Sequence, residues 1–353
     1  MLFLTMMFAY WWQCSEKQLA NSFLQGRSAT KKYANLGIAV ICTFLPMYLI
    51  NASISYVGND YINYYTYFKN IASGRGQDVE MGYKLINILV IKLGLDFQWV
   101  YFITCFIAYA LLILCIKIYS KNYALSYLLF FTGGSFFMLG INQIRQFVAL
   151  GCVMLALQYI EKRQLIKYSV LIILGGLFHV TAFVMLPFYF ILNKKIRLST
   201  YVVGGLFILP INLFFNEIMV WLFKNFMPRY LNSNYISREY KLEIPYLIMI
   251  AFTTFIVLFF LNKKEELEGM DRIYLNGCMI SLLIATVGTW LPEYKRFIYY
   301  FFIPLIFLIP NCIQKEKKLW LKLCMILAVV VMDWLYVSST IGYSNVLPYK
   351  SFF

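Results

Sequence analysis

Five side chains in this sequence have the makings of a reactive centre: His179, Asp60, Glu80, Arg145 and Arg296. An imidazole can accept a proton near neutral pH, and a well-placed carboxylate can do the same for a hydroxyl group. Guanidinium groups match phosphate oxygens through paired hydrogen bonds. The set suits transfer of a group away from a phosphate. The arginines would stabilise the departing anion, and the histidine or a carboxylate would serve the incoming hydroxyl.

His179 is the only histidine, and it follows a glycine pair in the apolar run Leu174-Gly175-Gly176-Leu177-Phe178-His179. An ionisable group in hydrocarbon marks a functional site by default; the bland alternative is a hydrogen bond to a neighbouring helix. Asn142 and Gln146 flank Arg145 where an apolar helix begins, and Arg229-Tyr230 follow Pro228. Snorkelling at a helix end explains any one arginine equally well. Three on one side of a membrane are harder to dismiss, and they read as a pocket for an anionic, lipid-linked substrate.

The elements that must position these residues are membrane helices. Of 353 residues, 61% are hydrophobic and only 13% charged, and the mean hydropathy is +0.69. A soluble domain carries about a quarter charged residues. The expectation is an all-α, polytopic integral membrane protein forming a single domain over 1–353, with about 11–12 transmembrane helices at about 20 residues per crossing. Apolar runs occur near 1–13, 35–54, 98–116, 123–139, 144–160, 167–192, 200–222, 244–261, 273–291, 297–313 and 319–338. The first run reads as a thin-ended helix, short for a span. The eight cysteines lie in or beside apolar runs and read as packing residues, not disulfides or metal ligands.

Charge sets the topology. The net charge of +15 belongs mostly to one set of connections, among them Lys117 and Lys121; Lys162, Arg163 and Lys167; Lys194, Lys195 and Arg197; and Lys315, Lys317 and Lys318. That set is expected to be cytoplasmic. Residues 167–192 have basic flanks at both ends, so a single crossing would invert every later loop. A short helical hairpin turning at Gly175-Gly176 and His179 keeps the rule and puts His179 near its outer tip. Residues 55–97 then form an extracytoplasmic cap with a re-entrant or surface helix, and 223–243 an extracytoplasmic loop. No Walker loop, no dinucleotide fingerprint, no metal-spaced histidine cluster and no D-x-D pair is present, so no cofactor or metal is expected. The mapped charge argues for anionic lipid and against nucleic acid as the partner.

Several short motifs resemble the EpsG family, the Wzy-like polysaccharide polymerases of bacterial exopolysaccharide and capsule clusters. They are Gly58-Asn59-Asp60-Tyr61-x-x-Tyr64, Glu80-x-Gly82-Tyr83, Asn142-x-x-Arg145-Gln146, Phe178-His179, and Arg296-x-x-x-Tyr300 with Pro348-Tyr349. The resemblance implies a glycosyltransferase of the bacterial plasma membrane that polymerises undecaprenyl-diphosphate-linked oligosaccharide on the outer face. Asp60, Glu80, Arg145, His179 and Arg296 would be catalytic. Asn142, Gln146, Arg229, Tyr230, Tyr64 and Tyr300 would bind substrate. A flippase and a chain-length regulator are the pathway partners implied. Rival readings are a lipid-linked oligosaccharide flippase, a polysaccharide ligase and a membrane acyltransferase; the acyltransferase would need its histidine on the cytoplasmic side.

Overall fold

The computed structural model describes residues 1–24, 30–75, 78–133, 136–214, 244–261, 269–287, 294–340 and 349–352, with 217, 220, 221, 224 and 225 between them. The described chain is helical apart from one isolated bridge, Ile54 to Ser351. Helices α1 (Leu2–Leu24) and α2 (Thr30–Ala52) pack side by side. Two short helices follow, α3 (Tyr61–Ala72) and α4 (Met81–Lys92). Then come α5 (Gln98–Tyr119), α6 (Tyr123–Thr132), α7 (Phe136–Asn142) and α8 (Ile144–Glu161).

Next is a pair of short elements, α9 (Leu165–Gly176) and a 3₁₀ helix (Val180–Phe190). The remaining helices are α10 (Leu198–Leu213), α11 (Ile244–Leu261), α12 (Gly269–Val287), α13 (Lys295–Phe302), α14 (Leu305–Lys315) and α15 (Leu319–Thr340). This is an all-α polytopic membrane protein. Among the described residues, Thr30–Ala52, Gln98–Tyr119, Ile144–Glu161 and Lys295–Lys315 are each long and apolar enough to span a bilayer, and the bent pair α6 and α7 could make a fifth span. All eight cysteines are free.

Helix α8 is the hub. It packs against α5, α7, α9, the 3₁₀ helix, α12 and α13, and most of its side chains are buried. Gly151 lets α5 come close, because a Cβ there would sit 2.7 Å from Leu111 Cβ. Further along the same contact, Tyr119 donates its hydroxyl hydrogen to the carbonyl of Met154 at 2.8 Å.

The expected hairpin is present. Helix α9 runs to Gly176, the chain turns through Leu177–His179, and the 3₁₀ helix packs back against α9. Tyr168 on the first arm donates to the carbonyl of Met185 on the second at 2.5 Å. Gly176 leaves room for the Phe183 ring, which would lie 2.4 Å from a Cβ. Both flanks return to the first turns of α12. Glu161 lies against Gly269, while Asn276 donates to the carbonyls of Leu192 and Lys194 at 2.7 and 2.9 Å. Each arm is short, 12 and 11 residues.

The first helix departs from the sequence reading. The apolar run ends at residue 13, yet α1 continues without a break to Leu24. Its polar continuation has partners: Glu16 accepts the Tyr123 hydroxyl at 2.6 Å and pairs with Lys117 at 3.7 Å, and Gln13 donates to the carbonyl of Lys121. A hydropathy window registers the charge of Glu16 but cannot see what neutralises it.

These contacts sort the chain into two ends. One end gathers Gln13, Glu16, Lys117, Lys121, Asn193, Asp271, Asn311 and Lys315. The other gathers residues 58–64, 80–83, 142–146, 177–181 and 296–300.

Candidate active site

The site is built where α4, α8, α13 and the hairpin tip meet. Gly82, in the first turn of α4, donates its backbone N–H to the carbonyl of Leu177 at 2.7 Å. A Cβ on Gly82 would lie 2.8 Å from that carbonyl oxygen and 3.1 Å from the Phe178 ring, so only glycine allows the approach. The contact places Glu80 over the tip. One carboxylate oxygen of Glu80 is ion-paired with Arg145, and the other accepts the backbone N–H of Val180 at 3.4 Å. A single side chain thereby ties α4 to α8 and to the residue after His179.

Arg145 stands on aromatic rings. Its guanidinium carbon is 5.2, 5.5 and 5.6 Å from the ring centres of Tyr64, Tyr67 and Tyr83. Such faces attract a cation through the ring quadrupole. The guanidinium is thus held by three rings and one carboxylate, and its Nε is buried with no hydrogen-bond partner among the described residues.

His179 has an extended backbone (φ −153, ψ 116) at the start of the 3₁₀ helix, and it is 7% exposed. Its Nδ1 lies 2.6 Å from Thr181 Oγ1, and that oxygen lies 2.9 Å from the Tyr300 hydroxyl. Burial is the main cause holding its pKa down to about 3, and the charges of Arg296 and then Arg145 push the same way. The imidazole is neutral at physiological pH, and two cations act on it.

The other expected residues fall into place around this core. Asn142 spends both ends of its amide on structure. Its Oδ1 accepts the backbone N–H of Asn59 at 2.9 Å, and its Nδ2 donates to the carbonyl of Met138 at 3.3 Å. Gly58 makes that docking possible at φ +85, because a Cβ there would meet Asn142 Oδ1 at 2.6 Å. Gln146 is buried and donates to the carbonyl of Arg296 at 2.7 Å, joining α8 to the first turn of α13. Tyr64 and Tyr300 are buried too, 2% and 1% exposed. Burial foremost raises the pKa of Tyr64, and the carboxylate of Asp60 adds to the rise despite the nearby Arg145. Asp60 occupies the N-cap position of α3 without a side-chain cap hydrogen bond, and its backbone carbonyl accepts the N–H of Tyr64 at 3.0 Å. Arg229 and Tyr230 lie outside the described residues, as does the whole of 226–243.

Two contributors were not anticipated. Thr181 follows His179 by two positions, in the turn that enters the 3₁₀ helix. Tyr67 follows Tyr64 by three positions, one helical neighbour along the same face. Both signals are local and common, so neither stands out in a sequence holding 29 tyrosines.

The model of the EpsG family matches residues 37–351, from within α2 to the bridge residue Ser351. No curated protein and no solved structure matches the chain.

Proposed function

Because this chain belongs to the EpsG family of Wzy-like polysaccharide polymerases, we propose that it joins lipid-linked oligosaccharide units at the site around Arg145 and His179. The observation that carries the reading is the junction at Glu80. A guanidinium, a carboxylate and a histidine from three separate segments meet there, beside a second arginine. No metal need supply the positive charge for a departing diphosphate when two guanidinium groups can do so.

In the proposed reaction, Arg145 and Arg296 hold the diphosphate of an undecaprenyl-diphosphate-linked donor, with Arg229 assisting. The acceptor sugar hydroxyl attacks the donor's anomeric carbon. The bond from that carbon to the diphosphate oxygen breaks, and the lipid diphosphate leaves with the electron pair. The hydroxyl proton passes to His179. Burial and the positive charges of Arg296 and Arg145 make His179 a poor base on its own. A bound diphosphate neutralises them, so the imidazole recovers basicity only when the donor is in place. Glu80, displaced from Arg145 by the diphosphate, remains anchored to Val180 and steadies the imidazolium that forms.

Sidedness follows from charge. The basic end is cytoplasmic by the positive-inside rule, which makes the site extracytoplasmic, under a cap formed by 55–97, with 223–243 a second outer loop on one polytopic domain. The membrane is the bacterial plasma membrane, where a flippase would deliver the units and a chain-length regulator would act on the product.

The test is elongation in vitro by the purified protein, using lipid-linked repeat units extracted from cells that lack it. New glycosidic bonds in wild type, lost in Arg145→Ala, Arg296→Ala and His179→Ala at equal folded abundance, are expected. Binding or transbilayer movement of the units without elongation would replace polymerisation with transport.

A further inference from the structure

His179 offers two ring nitrogens, and one is committed. Nδ1 is held by Thr181, whose hydroxyl is in turn held by Tyr300. Among the described residues Nε2 makes no hydrogen bond. The support behind Nδ1 is rigid. Thr181 lies in the first turn of the 3₁₀ helix, and Ala182 donates its backbone N–H to the carbonyl of His179 at 3.0 Å. Tyr300 comes from α13, 1% exposed, and α13 is fixed to α8 through Gln146. An imidazole rotates about a broad, roughly two-fold torsion, so a ring with no partner would exchange its two nitrogens.

Resting on the polymerase reading, the geometry points to Thr181 and Tyr300 as positioning residues for the transfer reaction: they lock the His179 ring so that Nε2 faces the acceptor hydroxyl. Tyr300 then supports the base from behind and binds no sugar. Neither residue touches substrate, so each acts on the rate of the chemical step and not on donor binding. A second consequence concerns the hairpin. The bond from Thr181 to Tyr300 is also what ties its tip to α13.

The experiment measures initial elongation rates against donor concentration for wild type, Thr181→Val, Thr181→Ser and Tyr300→Phe, using the extracted lipid-linked units. Thr181→Val and Tyr300→Phe are expected to lower kcat about tenfold or more, as loss of a supporting shell does elsewhere, with KM within about twofold. Thr181→Ser keeps the hydroxyl and should recover most of the rate. Wild-type kcat in both Thr181→Val and Tyr300→Phe overturns the inference, as does a change confined to KM, or a Thr181→Val loss that serine fails to recover. Should Thr181→Val not fold, Tyr300→Phe decides alone. A wild-type protein that forms no polymer removes the polymerase reading itself, a result distinct from an active wild type whose variants are unaffected.

Discussion

At the scale of single residues, the candidate site holds charges largely apart from water and close to one another. Arg145 is braced by Glu80 and three tyrosine rings, which fixes the plane of its guanidinium. Lysine in its place would keep the charge and lose the fork. Arg145→Ala should therefore lower elongation about a hundredfold or more, on the scale of a lost oxyanion donor, and Arg145→Lys should recover less than about a tenth of wild-type activity, read as polymer length on gels. The pH dependence follows from His179. Its pKa, near 3, is below the usual value of about 6.5, so the neutral ring is the stable form. The unfolded chain takes up a proton first, so this group's contribution to stability is whole above pH 6.5 or so and declines as pH falls toward 3. On the proposed mechanism, a bound donor diphosphate offsets the two arginine charges and raises this pKa. The kcat profile should then show an acid limb near pH 6–7 or so, whereas kcat/KM, which reports the free protein, should show none above about pH 5. Coincident limbs would refute the neutralisation argument. That His179, Glu80, Arg145 and Arg296 are candidates could be read from the sequence, because charge and a lone imidazole stand out in apolar surroundings. The threonine and tyrosine behind the imidazole could not, since their importance lies in whom they touch.

At the scale of elements, glycine decides how the short cap helices seat. Gly58 approaches Asn142 and Gly82 approaches Leu177, each too closely for a Cβ. Gly82→Ala should cost about 1–3 kcal/mol, as overpacking against a fixed backbone does, and should release α4 from the hairpin tip. Gly37, in α2, has nothing within 4 Å of its Cβ position. Gly37→Ala should leave stability unchanged or raise it by up to about 1 kcal/mol through helix propensity. Thermal unfolding in detergent compares the two, and equal effects would show that the Gly82 contact does not hold the cap. The hairpin itself was readable from its flanking charges alone, because two basic flanks can share one side only if the segment turns back. The length of α1 was not readable, since its second half is polar and is stabilised by Lys117 and Tyr123 from elsewhere in the chain.

At the scale of the whole molecule, separation of basic and reactive ends is the organising fact. Single cysteines introduced into a cysteine-depleted chain should report it: Ser73→Cys, exposed near the end of α3, should react with an impermeant thiol reagent on intact cells, and Lys194→Cys only after the membrane is opened. Labelling of Lys194→Cys from outside with Ser73→Cys protected would invert the proposed orientation, and labelling of both from outside would place the two ends on one side. The far end of the chain closes this architecture. Ser55 donates its backbone N–H to the carbonyl of Lys350 at 3.0 Å, Phe352 donates to the carbonyl of Ser53 at 2.6 Å, and the Tyr349 hydroxyl reaches the carbonyl of Ile50 at 2.7 Å. This clasp fixes the segment that leads into Gly58, Asp60 and Tyr64. Tyr349 lies 299 positions beyond Ile50, so every helix from α3 to α15 is synthesised before the clasp can close. The segment leading into Gly58, Asp60 and Tyr64 therefore gains this support later in synthesis than the helices that carry Arg145 and Arg296.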